Sequence, residues 1–164
     1  MLDMQGILLL ITGSYFPAMW FTFRAHAPIA HGFLSISCLL WLAGVFVIAL
    51  PQLPRYEPYK QAMFILCTAW GVLPTVLAWH WFADSPHILP LLWGTVALWV
   101  QYGTGFALYL TGFPEAYFPG KLSFFLTSHQ VFHLLVVTAN VTWYFAMKDC
   151  YARFWETAAA DELS

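Results

Sequence analysis

The sequence predicts an all-α fold, a bundle of transmembrane helices. Three observations predict it. Of the 164 residues, 61% are hydrophobic and only 9% are charged, where a soluble domain carries roughly a quarter charged residues. The nine Trp and fifteen Phe add aromatic weight that a water-exposed surface rarely holds. The apolar residues also fall into five long runs separated by charged or proline-rich breaks. Each run is close to the ~20 residues that a helix needs to cross a bilayer. Only helices and closed barrels satisfy every backbone group in lipid, and the runs lack the period-two polar alternation of barrel strands.

The first run, Met4 to Phe23, lies between Asp3 and Arg24. The second extends from Ile29 to Leu50 and ends at "PQLPRYEPYK", whose three prolines and charged residues read as a loop. Ala62 to Phe82 is the third run, with Pro74 inside it as a kink. After "ADSPH", the fourth run extends from Ile88 to Leu110. Gly103 and Gly105 in it, with Gly112 just beyond, are candidates for close helix approach. "TGFPEAYFPGK" connects to the fifth run, Leu122 to Met147. The expected domain is a single transmembrane unit over residues 1–155, with a disordered tail over 156–164.

Composition excludes some roles. The net charge of −2 has no clustered basic face, which excludes a nucleic-acid partner. The three cysteines, Cys38, Cys67 and Cys150, are widely spaced and predict neither a disulfide framework nor a zinc finger. Cys38 and Cys67 are expected to pack as small apolar side chains. The spans hold almost no charged residue to line a water path, which counts against a pore or transporter. Lysines and arginines divide three against three between the two membrane faces, so they set no orientation.

Alternating spans sort the polar residues by face. Asp3, His129 and His133 fall on one face, and His26, His31, His80 and His87 on the other. The latter four read as interfacial or loop residues. In "SHQVFH" (Ser128 to His133) the two histidines are four apart and project from one side of a helix. With a helix starting near Leu122, His129 is expected roughly 10 Å along it and His133 about 6 Å further. Ionisable groups inside a membrane are functional candidates because they are costly to keep there. The spacing fits two ligands of one divalent metal, and it also fits two side chains hydrogen-bonding between helices. A bis-histidine haem fits less well, because such ligands usually come from different helices. Asp3 reads either as a favourable charge at a helix N-terminus or as a carboxylate beside a metal's water.

These residues resemble a known family. "LDMQGILLLITGSYFPAMWFTF" (Leu2 to Phe23) is similar to the third transmembrane helix of adiponectin receptors, and "FPEAYFPGKLSFFLTSHQVFHLLVV" (Phe113 to Val137) to their last loop and seventh helix. "GVLPT" (Gly71 to Thr75) fits the fifth helix. The family is the progestin and adipoQ receptors, related to the hemolysin III proteins. The resemblance implies a seven-helix receptor fold of which this chain holds five spans, beginning just before the third helix. It implies Zn2+ as cofactor, His129 and His133 as two of three zinc histidines, and Asp3 as the catalytic acid beside the zinc's water. The third histidine and a serine motif belong to the two helices that precede, so the chain is expected to be a truncated product with an incomplete site. Ser123 stands where many relatives carry Asp. The implied activity is reception of a lipid or protein-hormone ligand, with zinc-dependent hydrolysis of ceramide-type amides. The alternative is a non-enzymatic membrane scaffold in which the histidines only pack. Expected partners are the lipid bilayer, such a ligand, and a second copy of the chain. The location is the plasma membrane or an internal membrane.

Overall fold

The computed structural model describes residues 2–51, 53–118 and 126–162. Every regular element among the described residues is helical, so the all-α class holds. The elements are α1 (Leu2–Phe23), α2 (Ala27–Ile48), α3 (Glu57–Trp70), α4 (Val72–Phe82), α5 (Leu89–Thr111) and α6 (Ser128–Glu162). Short 3-10 turns at Arg24–His26 and Pro54–Tyr56 precede α2 and α3. Among the described residues, three helical stretches are long and apolar enough to cross a membrane: Asp3–Ile48, which holds both α1 and α2, Pro54–Phe82, and Ser128–Thr157. The chain divides into two compact units, Met1–Leu92 and Trp93–Ser164, with the division inside α5.

In the first unit, α1 and α2 form a hairpin. A Cβ on Gly44 would lie 2.4 Å from Leu8 Cδ2, so the two backbones approach closely there. At the same end the Gln5 amide donates to the Val45 carbonyl at 3.1 Å. At the other end Phe23, 1% exposed, packs its ring against Phe33, Trp81 and Phe82. Trp70 donates its indole N–H to the Ser37 hydroxyl at 2.9 Å, tying α3 to α2.

The expected kink in the third run is a break at Gly71. Pro74 has no N–H to give the Trp70 carbonyl, and its ring crowds that carbonyl, so the helix yields one turn earlier. Gly71 N–H turns back to the Thr68 carbonyl at 3.3 Å instead of the Cys67 carbonyl. The Tyr15 hydroxyl from α1 donates to that Cys67 carbonyl at 2.6 Å. A carbonyl freed inside an apolar environment is costly unless a donor reaches it, and here a neighbouring helix supplies one.

Several expectations change. The start of the third helix moves forward to Glu57, because Pro58 sits in its first turn, where no helical N–H is required of it. Lys60 thereby leaves the loop. It is fully buried, with its ammonium 3.2 Å from Glu57 and 3.5 Å from the Pro51 carbonyl. Cys67 is buried as expected, whereas Cys38 is exposed on the apolar surface of α2. Gly103 has nothing near it, so it makes no close approach. α6 continues to Glu162, through the segment expected to begin a tail after Trp155.

In the second unit, α5 and α6 are antiparallel. A Cβ on Gly94 would lie 2.4 Å from the Ala146 Cβ, and one on Gly105 would lie 3.0 Å from Phe132. Gly94, Leu98, Gln101, Tyr102 and Gly105 recur at helical spacing and form the side of α5 that meets α6. Two polar bonds cross this contact: Gln101 donates to the Thr142 hydroxyl at 3.2 Å, and Asn140 donates to the Tyr102 hydroxyl at 3.0 Å. Many large apolar side chains point outward in both units, among them Phe46 (74% exposed) and Leu134 (59%). Such outward apolar surface suits lipid.

Candidate metal centre

The site is built at the end of α5 and the start of α6. α5 stops at Gly112, whose φ of +64° is the left-handed conformation that glycine adopts without strain. Gly112 N–H bonds the Tyr109 carbonyl at 3.2 Å, and Phe113 N–H bonds the Leu108 carbonyl at 3.1 Å. This paired closure consumes carbonyls left over at a helix end. The next residues stay in tight turns, with Ala116 N–H to the Gly112 carbonyl at 2.8 Å and Tyr117 N–H to the Pro114 carbonyl at 3.0 Å.

α6 starts abruptly. Leu126 has φ +61°, which a helix cannot contain. Thr127 is the N-cap, its carbonyl taking the Val131 N–H at 2.9 Å. Gln130 N–H donates to the Thr127 hydroxyl at 3.4 Å, and Thr127 N–H donates to the Gln130 side-chain oxygen at 3.3 Å. This is a reciprocal capping box, Thr-x-x-Gln. Glu115 completes the start: its carboxylate accepts the Ser128 N–H at 2.6 Å and also the Ser128 hydroxyl. The Ser128 hydroxyl holds the Glu115 carboxyl below its ordinary 4.5, and a negative charge at a helix N-terminus is favourable in itself.

The start at Ser128 corrects the expected depth of the histidines. His129 lies in the first turn of the helix, and His133 one turn further. The expected beginning at Leu122, with Lys121 and Ser123, lies outside the described residues.

The structure brings His129 and His133 together. Their Nε2 atoms are 3.0 Å apart and their ring centroids 4.6 Å. Two nitrogens each about 2.0–2.1 Å from one tetrahedral zinc would be roughly 3.3 Å apart. The pair therefore fits two corners of such a site with a small opening movement. His129 is exposed and His133 half-buried. Tyr109 presents its ring to His129 edge-on, with centroids 5.9 Å apart, and packs on Phe132 at 5.8 Å. Asp3 is in the first turn of α1, exposed, in the first unit.

Sequence reading missed Glu115, Tyr109, Thr127 and Gln130. The T-x-x-Q spacing before an apolar run was a readable start signal. Glu115 was visible only as an acid in an apolar connection. His26 packs on Trp81 at 5.5 Å in the first unit, in keeping with an interfacial role.

The fold and this site define a class: an integral, multi-pass membrane protein with a histidine pair at the mouth of one helix. Residues 1–144 match the family described as Haemolysin-III related, and the chain belongs to that family. It is 32% identical over 149 residues to the heptahelical transmembrane protein ADIPOR3 of Oryza sativa subsp. japonica, covering 87% of this chain and 36% of that protein. It is 30% identical over 171 residues to the heptahelical transmembrane protein ADIPOR2 of the same plant, covering 97% of this chain and 70% of that protein. It is 29% identical over 153 residues to the adiponectin receptor protein of Drosophila melanogaster, covering 90% of this chain and 34% of that protein. The chain spans about a third of the length of most of these relatives.

Proposed function

We propose that the chain forms the zinc-binding part of a receptor-like membrane protein, with His129 and His133 as metal ligands and Asp3 as the acid that works beside them. The observation that carries this reading is the convergence of the two Nε2 atoms to 3.0 Å. Two imidazoles on one helical turn, aimed at one point, are a divalent-metal donor set. A Zn2+ ion held there supplies Lewis acidity that activates water near neutral pH. His129 and His133 would hold and orient such an ion. Asp3 would orient the water, take up its proton and return it to the leaving amine. The substrate class is an amide of the ceramide type, presented from the bilayer. Receptor action follows if binding such a lipid, or a protein hormone, is what the longer relatives read out.

Catalytic zinc sites use three protein ligands, and the pair supplies two. The 164-residue chain by itself should therefore bind zinc but turn over ceramide slowly or not at all. Fast zinc-dependent hydrolysis by this chain would overturn that limit.

The same 3.0 Å is also met if one imidazole N–H donates to the other ring. That geometry needs no metal and suits the scaffold reading. Zinc content per chain, measured in mild detergent beside a His129→Ala, His133→Ala double mutant, decides between them. Near one zinc in the wild type and none in the mutant is the expected result. No zinc in either sinks the metal reading.

A further inference from the structure

Resting on that metal reading, we infer that Glu115 is the positioning residue of the histidine pair. It acts on the residue immediately before His129, and it does so with both carboxylate oxygens.

Two imidazoles four residues apart converge only if the turn between them keeps its helical winding. In α6 this turn is the first of the helix, where helices fray because the leading N–H groups lack partners within the helix. His129 is therefore at the weakest point of α6, while His133 is one turn inside. A frayed first turn would swing His129 away and leave one ligand.

Among the contacts of the described residues, three oppose fraying. The Thr127–Gln130 box closes the cap from within α6. Glu115 closes it from outside, taking the Ser128 N–H at 2.6 Å and the Ser128 hydroxyl. Ser128, the donor in both bonds, is 6% exposed. Tyr109 supports the His129 ring itself. Glu115 and Tyr109 flank the Gly112 closure of α5, so the end of one helix sets the start of the next. Of the three contacts, only the Glu115 bond is both charged and anchored outside α6. Hydrogen bonds to an ionised group are about twice as strong as neutral ones.

The proposal also accounts for why an acid sits in the otherwise apolar connection "FPEAYF". The carboxylate serves the helix start, not the metal directly.

The test is metal binding by the full chain in detergent, with Zn2+ for affinity and Co2+ for the ligand-field spectrum, which reports coordination geometry. The variants are Glu115→Ala, Glu115→Gln, Glu115→Asp, and Asp149→Ala. The last removes an exposed ion pair to Arg153 in the same helix, five turns away, and controls for general loosening of α6. Glu115→Ala is expected to weaken Zn2+ binding roughly 10- to 100-fold, as loss of a residue orienting a ligand does. It is also expected to shift the Co2+ bands. Glu115→Gln keeps one acceptor and the side-chain shape, and should lose less. Glu115→Asp should restore part of the loss. Asp149→Ala should bind as the wild type does.

Wild-type affinity in both Glu115→Ala and Glu115→Gln would overturn the role of Glu115 and leave the metal reading standing. Equal weakening by Glu115→Ala and Asp149→Ala would also overturn it, by showing that only helix stability matters. Wild-type chain that binds no better than the His129→Ala, His133→Ala mutant would overturn both readings. Should Glu115→Ala fail to fold, Glu115→Gln carries the comparison alone.

Discussion

The two units hold their helices together by different means. In the first, the contacts are mainly apolar and aromatic: Leu8 against Gly44, and Phe23 among Phe33, Trp81 and Phe82. Among its polar bonds, Tyr15 repairs the freed Cys67 carbonyl and Trp70 bridges to Ser37. In the second, small residues bring α5 against α6, and side-chain polar groups then bridge the contact at Gln101–Thr142 and Asn140–Tyr102. That pair of helices ends in the Glu115 cap and the histidine pair. In lipid, apolar surface does not by itself drive helices together, because lipid tails are as apolar as leucine. Close backbone approach and interhelical hydrogen bonds specify the contact instead. The second unit uses both devices in the pair of helices that carries His129 and His133.

The glycines test this contrast most sharply. A Cβ at Gly94 would meet the Ala146 Cβ, which has no rotamer to move to. Gly94→Ala must therefore push α5 and α6 apart, at a cost of about 2–3 kcal/mol. A Cβ at Gly44 would meet the Leu8 methyl groups, the far end of a flexible side chain. Gly44→Ala should cost under about 1 kcal/mol, since the methyls can swing aside. Reversible unfolding in a detergent and denaturant mixture would measure both. Equal costs would erase the distinction between a rigid and a yielding contact.

Removing one hydroxyl from each unit separates repair from bridging. Tyr15→Phe leaves the Cys67 carbonyl without the donor it receives at 2.6 Å, so it should cost about 1–2 kcal/mol. Tyr102→Phe leaves Asn140 still bonded to the Val136 carbonyl at 2.7 Å. Its cost should be nearer 0.6 kcal/mol, roughly the average for interhelical hydrogen bonds in membranes. The reverse order would show that bridging, not repair, dominates.

The smallest effect is a pH dependence in the first unit. His87, between α4 and α5, has its pKa lowered from 6.5, first by burial and then by the Arg24 charge. The unfolded chain thus takes up the proton at higher pH than the folded one. Stability from this residue is complete well above 6.5 and falls as pH drops through 6.5 towards the lower folded value. His87→Gln should flatten that slope. A slope unchanged by the substitution would assign it to other groups.

Much of the fold was legible because a bilayer leaves few choices. Apolar runs near 20 residues must be helical there, and α1, α2 and α5 begin and end within two residues of the runs that announce them. Each helix end that moved did so for a local reason. Pro58 is welcome in a first turn and drew α3 forward to Glu57. Leu126 in the left-handed region and the Thr127–Gln130 box delayed α6 to Ser128. Of the candidate site, the i, i+4 histidine pair was readable from helical geometry alone, since residues so spaced share a side.

What the sequence by itself determined is the all-α membrane class, the family, and the histidine pair, because these follow from hydropathy, motif order and the 3.6-residue period. What only the tertiary structure decided is which residues hold the pair in place. Glu115 is thirteen residues from Ser128 along the chain, and no periodicity connects an acid in a loop to a helix that begins beyond it. Gly94 likewise packs where Gly103 does not, because close approach depends on which side of α5 faces α6. Tyr15 reaches the Cys67 carbonyl, freed at Gly71, from another helix. Each is a contact between separate stretches of chain, set by how helices turn towards one another rather than by the order of their residues.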